Sequence, residues 1–118
     1  MARFRLSRRA EVDIADAVAT SERRWGSETK IRYQAPLAAA LRKVAADPRG
    51  MTTRDRSELA EGIRSYHIRH ARGYSDTKVR HPVHVLYYRV VAPDLIEVVR
   101  VLHERMEPSR HIGPGATD

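Results

Sequence analysis

A histidine between two arginines near the C-terminal end is the group of residues best suited to catalysis. Arg100, His103 and Arg105 lie close together at the end of the last predicted strand. A histidine exchanges protons near neutral pH, and guanidinium groups stabilise the anionic phosphorane formed in RNA cleavage. Tyr87 or Tyr88, on the preceding strand, has a ring suited to stacking on a base. These residues suggest a metal-free ribonuclease site that uses the 2′-hydroxyl of its substrate.

A structural role accounts for the same residues and is the more common one. In that alternative Arg100 pairs with Glu97 or with an acidic residue of a helix, and His103 only ends the strand. A single histidine among arginines does not define a catalytic site. The sequence therefore assigns no catalytic residue firmly and leaves both roles open.

Other chemistry has little support in the sequence. The pairs His67/His70 and His81/His84 are spaced by three residues, and in a strand this spacing places the two rings on opposite faces. The chain has no cysteine, which excludes thiolate catalysis and cysteine-ligated metals. No serine lies in a nucleophile elbow, and no glycine-rich phosphate loop precedes a helix. We therefore expect neither a metal site nor a bound cofactor.

Arginine dominates the charge of the chain. There are 22 basic and 15 acidic residues, a net charge of +7, and 19 of the basic residues are arginines. The excess lies in residues 1–9 and 62–92, whereas residues 10–61 are neutral. Arginine binds carboxylates or phosphates at two points, so these segments indicate an anionic partner, with a coding bias toward arginine as an equal alternative cause. The expected partner-binding residues are Arg5, Arg64, Arg69, Arg72, Arg80, Arg89, Arg100 and Arg105.

Hydrophobic periodicity predicts the elements that position these residues. Arg3–Leu6 alternates like a half-buried strand, and two helices joined at Gly26 follow. Pro36 predicts a kink or break in the second helix, which should end near Asp47. A helix hairpin that covers one face of an antiparallel sheet forms a two-layer α+β domain. After a loop over residues 48–62, the predicted strands are Ile63–His70, Val83–Val91 and Leu95–His103, with a basic connection at residues 71–82.

The length and ends of the chain suggest how it is organised. A chain of 118 residues suits a single domain, which we expect over residues 1–112. Glycine and proline at residues 113–115 predict a flexible tail over residues 113–118. No apolar run is long enough to span a membrane, and the N-terminus lacks a secretion signal. The sequence therefore predicts a cytoplasmic location.

The segment Val98–Glu107 and several short motifs before it in the chain resemble those of the RelE/ParE toxin superfamily and most closely its ParE-like members. Val98–Glu107 is similar to the C-terminal signature of the ParE type, and Leu86–Val90 resembles the strand before it. The resemblance covers about residues 3–112 and implies an N-terminal strand, a helix hairpin and three antiparallel strands in one sheet. The other matching motifs are Arg5–Ala10, Arg24-Trp25-Gly26, Asp47-Pro48 and Gly62–Ser65.

The resemblance implies the toxin of a bacterial type II toxin–antitoxin system. A cognate ParD-like antitoxin is then expected to dock an acidic C-terminal segment over the helix hairpin and the sheet. ParE-type members inhibit DNA gyrase, whereas RelE-type members cleave mRNA on the ribosome. The sequence favours the ParE type, because no tyrosine follows Arg100 and no lysine lies in the last strand.

Two features depart from the family pattern. The connection over residues 71–82 is longer than usual, and Pro36 interrupts the second helix. Both would affect how an antitoxin or a target docks.

A third hypothesis, a basic nucleic-acid-binding domain, rests only on the charge of residues 62–92, because no recognition helix or aromatic RNA-binding motif accompanies it.

Overall fold

Two helices pack on one face of a five-stranded sheet in the computed structural model of the chain. The structure describes residues 2–25, 27–74, 83–114 and 116, with side chains at residues 2–19, 36–71, 83–114 and 116. The predicted α+β architecture is confirmed. The elements are β1 Arg3–Leu6, α1 Arg8–Trp25, α2 Ser27–Ala46, β2 Arg54–Asp55, β3 Arg64–His67, β4 His84–Ala92 and β5 Leu95–His103, with short 3-10 helices at Ile68–Tyr74 and Pro108–Arg110.

The sheet is mixed, which the sequence did not predict. Its strand order is β1-β5-β4-β3-β2. β1 runs parallel to β5, and the other neighbouring strands are antiparallel. Parallel pairing requires a long connection between the two strands, and here both helices and three strands lie between β1 and β5. Periodicity within one strand contains no information on the direction of its neighbour.

The two helices form the predicted hairpin. Ser7 caps α1, because its Oγ accepts a hydrogen bond from the Ala10 N–H at 3.0 Å. α1 ends at residue 25 and α2 begins at residue 27, and the predicted turn residue Gly26 lies outside the described residues. α2 continues through the buried Pro36, so the helix is a single element.

The main core lies between the helices and the sheet face that they cover. α2 contributes an apolar face at the helical spacing expected from the sequence, and the strands contribute every second residue. Its members include Leu37, Leu41 and Val44 from α2, and Tyr66, Leu86, Tyr88, Ile96 and Val98 from the sheet.

A second, smaller core lies on the opposite face of the sheet, which we call the outer face. Two irregular segments cover it: residues 57–63, and residues 108–113, which we call the C-terminal segment. Its buried members are Leu59, Ile63, Tyr87, Leu102 and Ile112. The predicted domain boundary at residue 112 and the flexibility of residues 113–118 remain predictions.

The connections differ from their predicted form in two places. The predicted loop over residues 48–62 includes the two-residue strand β2, and the strand predicted to end at His70 ends at His67. There the chain turns into a 3-10 helix, and the Arg69 N–H donates to Nδ1 of His67 at 3.1 Å. Residues 75–82 of the predicted basic connection lie outside the described residues. In the part of the chain that the structure describes, no helix is long and apolar enough to cross a membrane.

Gly113 allows the C-terminal segment to approach residues 57–63 closely. Its φ is +81°, and a Cβ atom on it would lie 2.0 Å from the carbonyl oxygen of Leu59. Gly113→Ala combines a strained φ with this clash, so we expect the free energy of unfolding to fall by about 2–3 kcal/mol. Urea denaturation followed by circular dichroism measures the change.

Gly62→Ala is the matched control for this prediction. Gly62 has a φ of +77°, but a Cβ atom on it would meet nothing within 4 Å. Its substitution should cost only the backbone strain, about 1 kcal/mol. Equal losses in the two variants would contradict the close approach at Gly113.

Candidate protein-binding face

α1 covers the edge of β5 beyond the point where β1 ends. The Ser7 hydroxyl donates to the carbonyl oxygen of Val99 at 2.8 Å. Further along, the Val101 N–H donates to Oδ2 of Asp13 at 2.9 Å. A strand edge exposes unpaired N–H and C=O groups, and side chains of α1 and its cap satisfy them here. These contacts fix the position of α1 against β5.

Arg100 is buried and bound by the same carboxylate. Its Nε donates to Oδ2 of Asp13 at 2.9 Å, and its Nη2 donates to Oδ1 at 3.0 Å. Its Nη1 donates to the carbonyl oxygen of His111 at 3.3 Å. The Arg100 and Asp13 side chains are only 9% and 13% exposed. We call Asp13, Arg100 and the Val101 N–H the carboxylate clamp. Of the pairings that the sequence left open, Arg100 therefore pairs with a helix acid and not with Glu97.

The residues of the ribonuclease hypothesis lie in different surroundings. The guanidinium of Arg100 is held in the carboxylate clamp, whereas Arg105 is exposed in the turn after β5. His103 Nδ1 accepts a hydrogen bond from the Arg105 N–H at 3.0 Å. Tyr88 is 0% and Tyr87 5% exposed, so neither ring offers a stacking surface. Arg100, Tyr87 and Tyr88 are thus buried, whereas Arg105 lies at the surface.

Two of the predicted partner-binding arginines flank a carboxylate on the outer face. Arg5, Glu97 and Arg89 are cross-strand neighbours on β1, β5 and β4. Glu97 accepts from Arg5 Nε at 3.1 Å, and from Arg89 Nε at 3.2 Å and Nη2 at 2.9 Å. Burial alone would raise the pKa of Glu97, but the hydrogen bonds from Arg89 and Arg5 outweigh it and lower the pKa below 4.5. Two guanidiniums share one carboxylate, so this row of residues remains positive.

Arg64, another predicted partner-binding residue, makes internal contacts. Its Nε donates to the carbonyl oxygen of Pro48 at 3.1 Å, and its Nη2 donates to Oγ1 of Thr53 at 2.8 Å. The Tyr88 hydroxyl donates to the same Pro48 carbonyl at 2.5 Å. Arg64 thus attaches the loop after α2 to the sheet.

Two of the remaining predicted arginines lie toward the other end of the sheet, after β3 and after β5. Arg69 and Arg105 are exposed, whereas Arg80 and the side chain of Arg72 lie outside the described residues. Between the two exposed arginines, His67 Nε2 lies 2.7 Å from Oε2 of Glu104. Because His67 Nδ1 accepts from the backbone, its Nε2 carries the proton and donates to this carboxylate. The bond from His67 lowers the pKa of Glu104.

The histidines of this region interact with one another, and they form no metal site within the described residues. The rings of His84 and His103 lie 5.8 Å apart, edge to face. Burial, and then the proximity of His103, lowers the pKa of His84 to about 4, although Asp13 and Glu104 act in the opposite direction. In the described ranges, no group of three or more acidic or histidine side chains is placed to hold a metal ion.

Asp13 is the important residue that sequence reasoning did not identify. The contact between Asp13 and Arg100 spans 87 positions of the chain, which no local pattern can detect. A signal was nevertheless present. Asp13 lies three residues after Ala10 and four before Ala17, both of which pack in the main core. A carboxylate on the apolar face of a helix indicates a buried basic partner.

Asp13→Ala is expected to lower the free energy of unfolding by about 3–5 kcal/mol, because it leaves the buried guanidinium of Arg100 without its counter-charge. The double variant Asp13→Ala/Arg100→Met should recover most of this loss, since it removes both charges. Urea denaturation measures both changes. Asp16→Ala, at an exposed position of the same helix, is the control and should cost less than about 0.5 kcal/mol. A similar loss from Asp13→Ala and Asp16→Ala would contradict the clamp.

Stability is expected to fall as the pH drops from 6.5 toward 4, because unfolded His84 takes up a proton at its ordinary pKa of 6.5 and folded His84 only at about 4. The contribution of His84 to the free energy of unfolding is fully present above pH 6.5. Its loss at lower pH reaches at most about 3 kcal/mol. His84→Gln should flatten the pH dependence of the free energy of unfolding. An unchanged slope in His84→Gln would rule out this explanation.

The comparisons with known proteins agree on one family. The family described as "ParE toxin of type II toxin-antitoxin system, parDE" matches residues 4–108. Toxin ParE1 of Caulobacter vibrioides is 36% identical over 110 residues, which cover 93% of this chain and 97% of that protein. Toxin ParE1 of Mycobacterium tuberculosis is 31% identical over 110 residues with the same coverage.

A solved structure has the same fold. It is described as "Chromosomal ParDE TA system from P. aeruginosa", and it superimposes with a TM-score of 0.61 at 15% identity, covering 87% of this chain and 96% of that chain. At this identity the similarity establishes the fold only. Together with the family match and the related toxins, it leads to one conclusion: the chain belongs to the ParE toxin family of type II toxin–antitoxin systems.

Proposed function

We propose that this toxin inhibits DNA gyrase in the cytoplasm by binding it, and that a cognate ParD-like antitoxin neutralises it. The carboxylate clamp is the observation that carries the proposal. The ribonuclease alternative needs the guanidinium of Arg100 at a substrate phosphate, but Asp13 binds that guanidinium at two points inside the protein. Arg100, which belongs to the segment that resembles the ParE signature, therefore supports the fold. Inhibition through protein contacts needs no such catalytic group.

The outer face supports an acidic antitoxin segment as the partner. Arg5 and Arg89 expose about half of their side chains there, and the single carboxylate of Glu97 compensates only one of the two charges. Exposed guanidiniums attract carboxylates of a partner and bind them at two points. An acidic segment that folds on binding matches this surface. Arg69 and Arg105 are further exposed guanidiniums, toward the other end of the sheet.

A supercoiling assay beside a translation assay tests the proposed target. The purified toxin is added to DNA gyrase with relaxed plasmid, and separately to a translation reaction with a reporter mRNA. We expect loss of supercoiling, restored by equimolar antitoxin, and intact mRNA. Cleaved mRNA that becomes intact with His103→Ala, together with unaffected gyrase, would instead establish the ribosome-dependent endoribonuclease.

A pair of charge variants tests the antitoxin surface. Arg5→Glu/Arg89→Glu should weaken antitoxin binding by about 1 kcal/mol or more for each charge, because it replaces attraction with repulsion. Arg49→Glu/Arg54→Glu makes the same change in net charge at exposed positions outside β1, β4 and β5, and should leave the affinity nearly unchanged. Isothermal titration calorimetry measures both. Equal weakening in the two pairs would show that net charge alone, and not the outer face, governs binding.

A further inference from the structure

A cleft of about 370 Å³ opens on the outer face where three segments meet. The start of α1, residues 60–63, the C-terminal segment, β4 and β5 line it. We call the apolar part of this lining the base of the cleft and the exposed charged part its rim. Its volume lies within the roughly 300–1,000 Å³ typical of ligand sites. The cleft is therefore large enough to receive a side chain of a partner protein.

The base of the cleft is apolar. Ile63, Val99 and Ile112 line it. Ile63 and Ile112 are buried members of the second core, and Val99 packs against that core. An apolar side chain that enters gains about 25 cal/mol for each Å² of apolar surface removed from water. A purely polar ligand would gain nothing from this surface.

The rim of the cleft is basic. The basic residues of the rim are Arg8, Arg9 and Arg89. Among the described residues that line the cleft, Glu61 is the one acidic residue. Arg100 also lines the cleft, but its charge is matched within the carboxylate clamp. Arg8 is exposed and has no hydrogen bond or ion pair with any residue in the described part of the chain. The rim therefore carries excess positive charge above an apolar base.

A polypeptide suits this combination better than a nucleic acid does. Single-stranded nucleic acids bind through aromatic stacking as well as phosphate contacts, and no Phe, Tyr or Trp is among the described residues that line the cleft. An apolar side chain flanked by carboxylates satisfies the base and the rim together. We propose that the cleft receives an apolar side chain of the acidic antitoxin segment, whose neighbouring carboxylates pair with Arg8 and Arg89. This assignment rests on the proposed neutralisation by an antitoxin.

Synthetic peptides test the chemistry of the cleft directly. The probe is a short fluorescein-labelled peptide of alternating leucine and glutamate, and the reference is the matching peptide of leucine and glutamine. Fluorescence anisotropy with the full chain is expected to show about tenfold tighter binding of the glutamate peptide at low ionic strength, with a smaller difference at high ionic strength. Equal binding of the two peptides would overturn the proposal.

Arg8→Glu tests the rim, and Arg54→Glu is its matched control. An acidic residue in the first turn of a helix is favourable, so Arg8→Glu should fold normally and weaken binding of the glutamate peptide about tenfold. Arg54 is exposed on β2, at the other edge of the sheet from α1 and β1. Its substitution by glutamate makes the same change in net charge and should alter the affinity less than about twofold. Equal weakening by both variants would overturn the proposal.

Ala60→Leu tests the base without changing the charge. Ala60 is half-buried and lines the cleft, so a larger side chain there should fill the space and weaken binding of the glutamate peptide about fivefold. Both variants are then tested with the cognate antitoxin in the supercoiling assay. If Arg8→Glu and Ala60→Leu are neutralised like wild type, the cleft assignment fails and the proposed neutralisation stands. If the antitoxin does not neutralise the wild-type toxin, the proposed function fails. The peptide measurements then still decide whether the cleft binds an acidic peptide with apolar side chains.

Discussion

One buried carboxylate, Asp13, connects the first helix to the last strand, and much of the fold depends on it. It accepts hydrogen bonds from both the side chain of Arg100 and the backbone of Val101. Arg100 in turn donates to the carbonyl of His111, which attaches the C-terminal segment. A charge buried without a partner is costly, so the three segments are stable only together. The clamp thus joins the helix hairpin, the sheet and the C-terminal segment, which packs over the second core.

The arginines of this protein serve two different purposes. A guanidinium can be buried because its planar set of donors matches carboxylate and carbonyl acceptors, and Arg64 and Arg100 are used in this way. Others, including Arg5, Arg8 and Arg89, remain on the outer face. The composition could not separate the two groups, since both contribute equally to a net charge. Burial separates them, and only the exposed group is available to an acidic partner.

The order and type of the elements could be predicted because their signals are local. Alternation predicted β1 over the observed Arg3–Leu6, and the last predicted strand coincides with the observed β5, Leu95–His103. The predicted bounds were wrong where contacts between residues far apart in the chain determine the structure. The strand after residue 62 is shorter than predicted, and the loop after α2 gains the short strand β2 because Arg54 and Asp55 pair with β3.

The sequence by itself determined the two-layer architecture, the helix hairpin, the excess of arginine and the motifs shared with a toxin family. Each depends on residues close together in the chain or on simple counting. The tertiary structure alone decided that β1 runs parallel to β5, that Asp13 neutralises Arg100, and which arginines remain on the surface. These outcomes depend on contacts between residues far apart in the chain. Their energies come from burial and geometry, which exist only once the chain has folded.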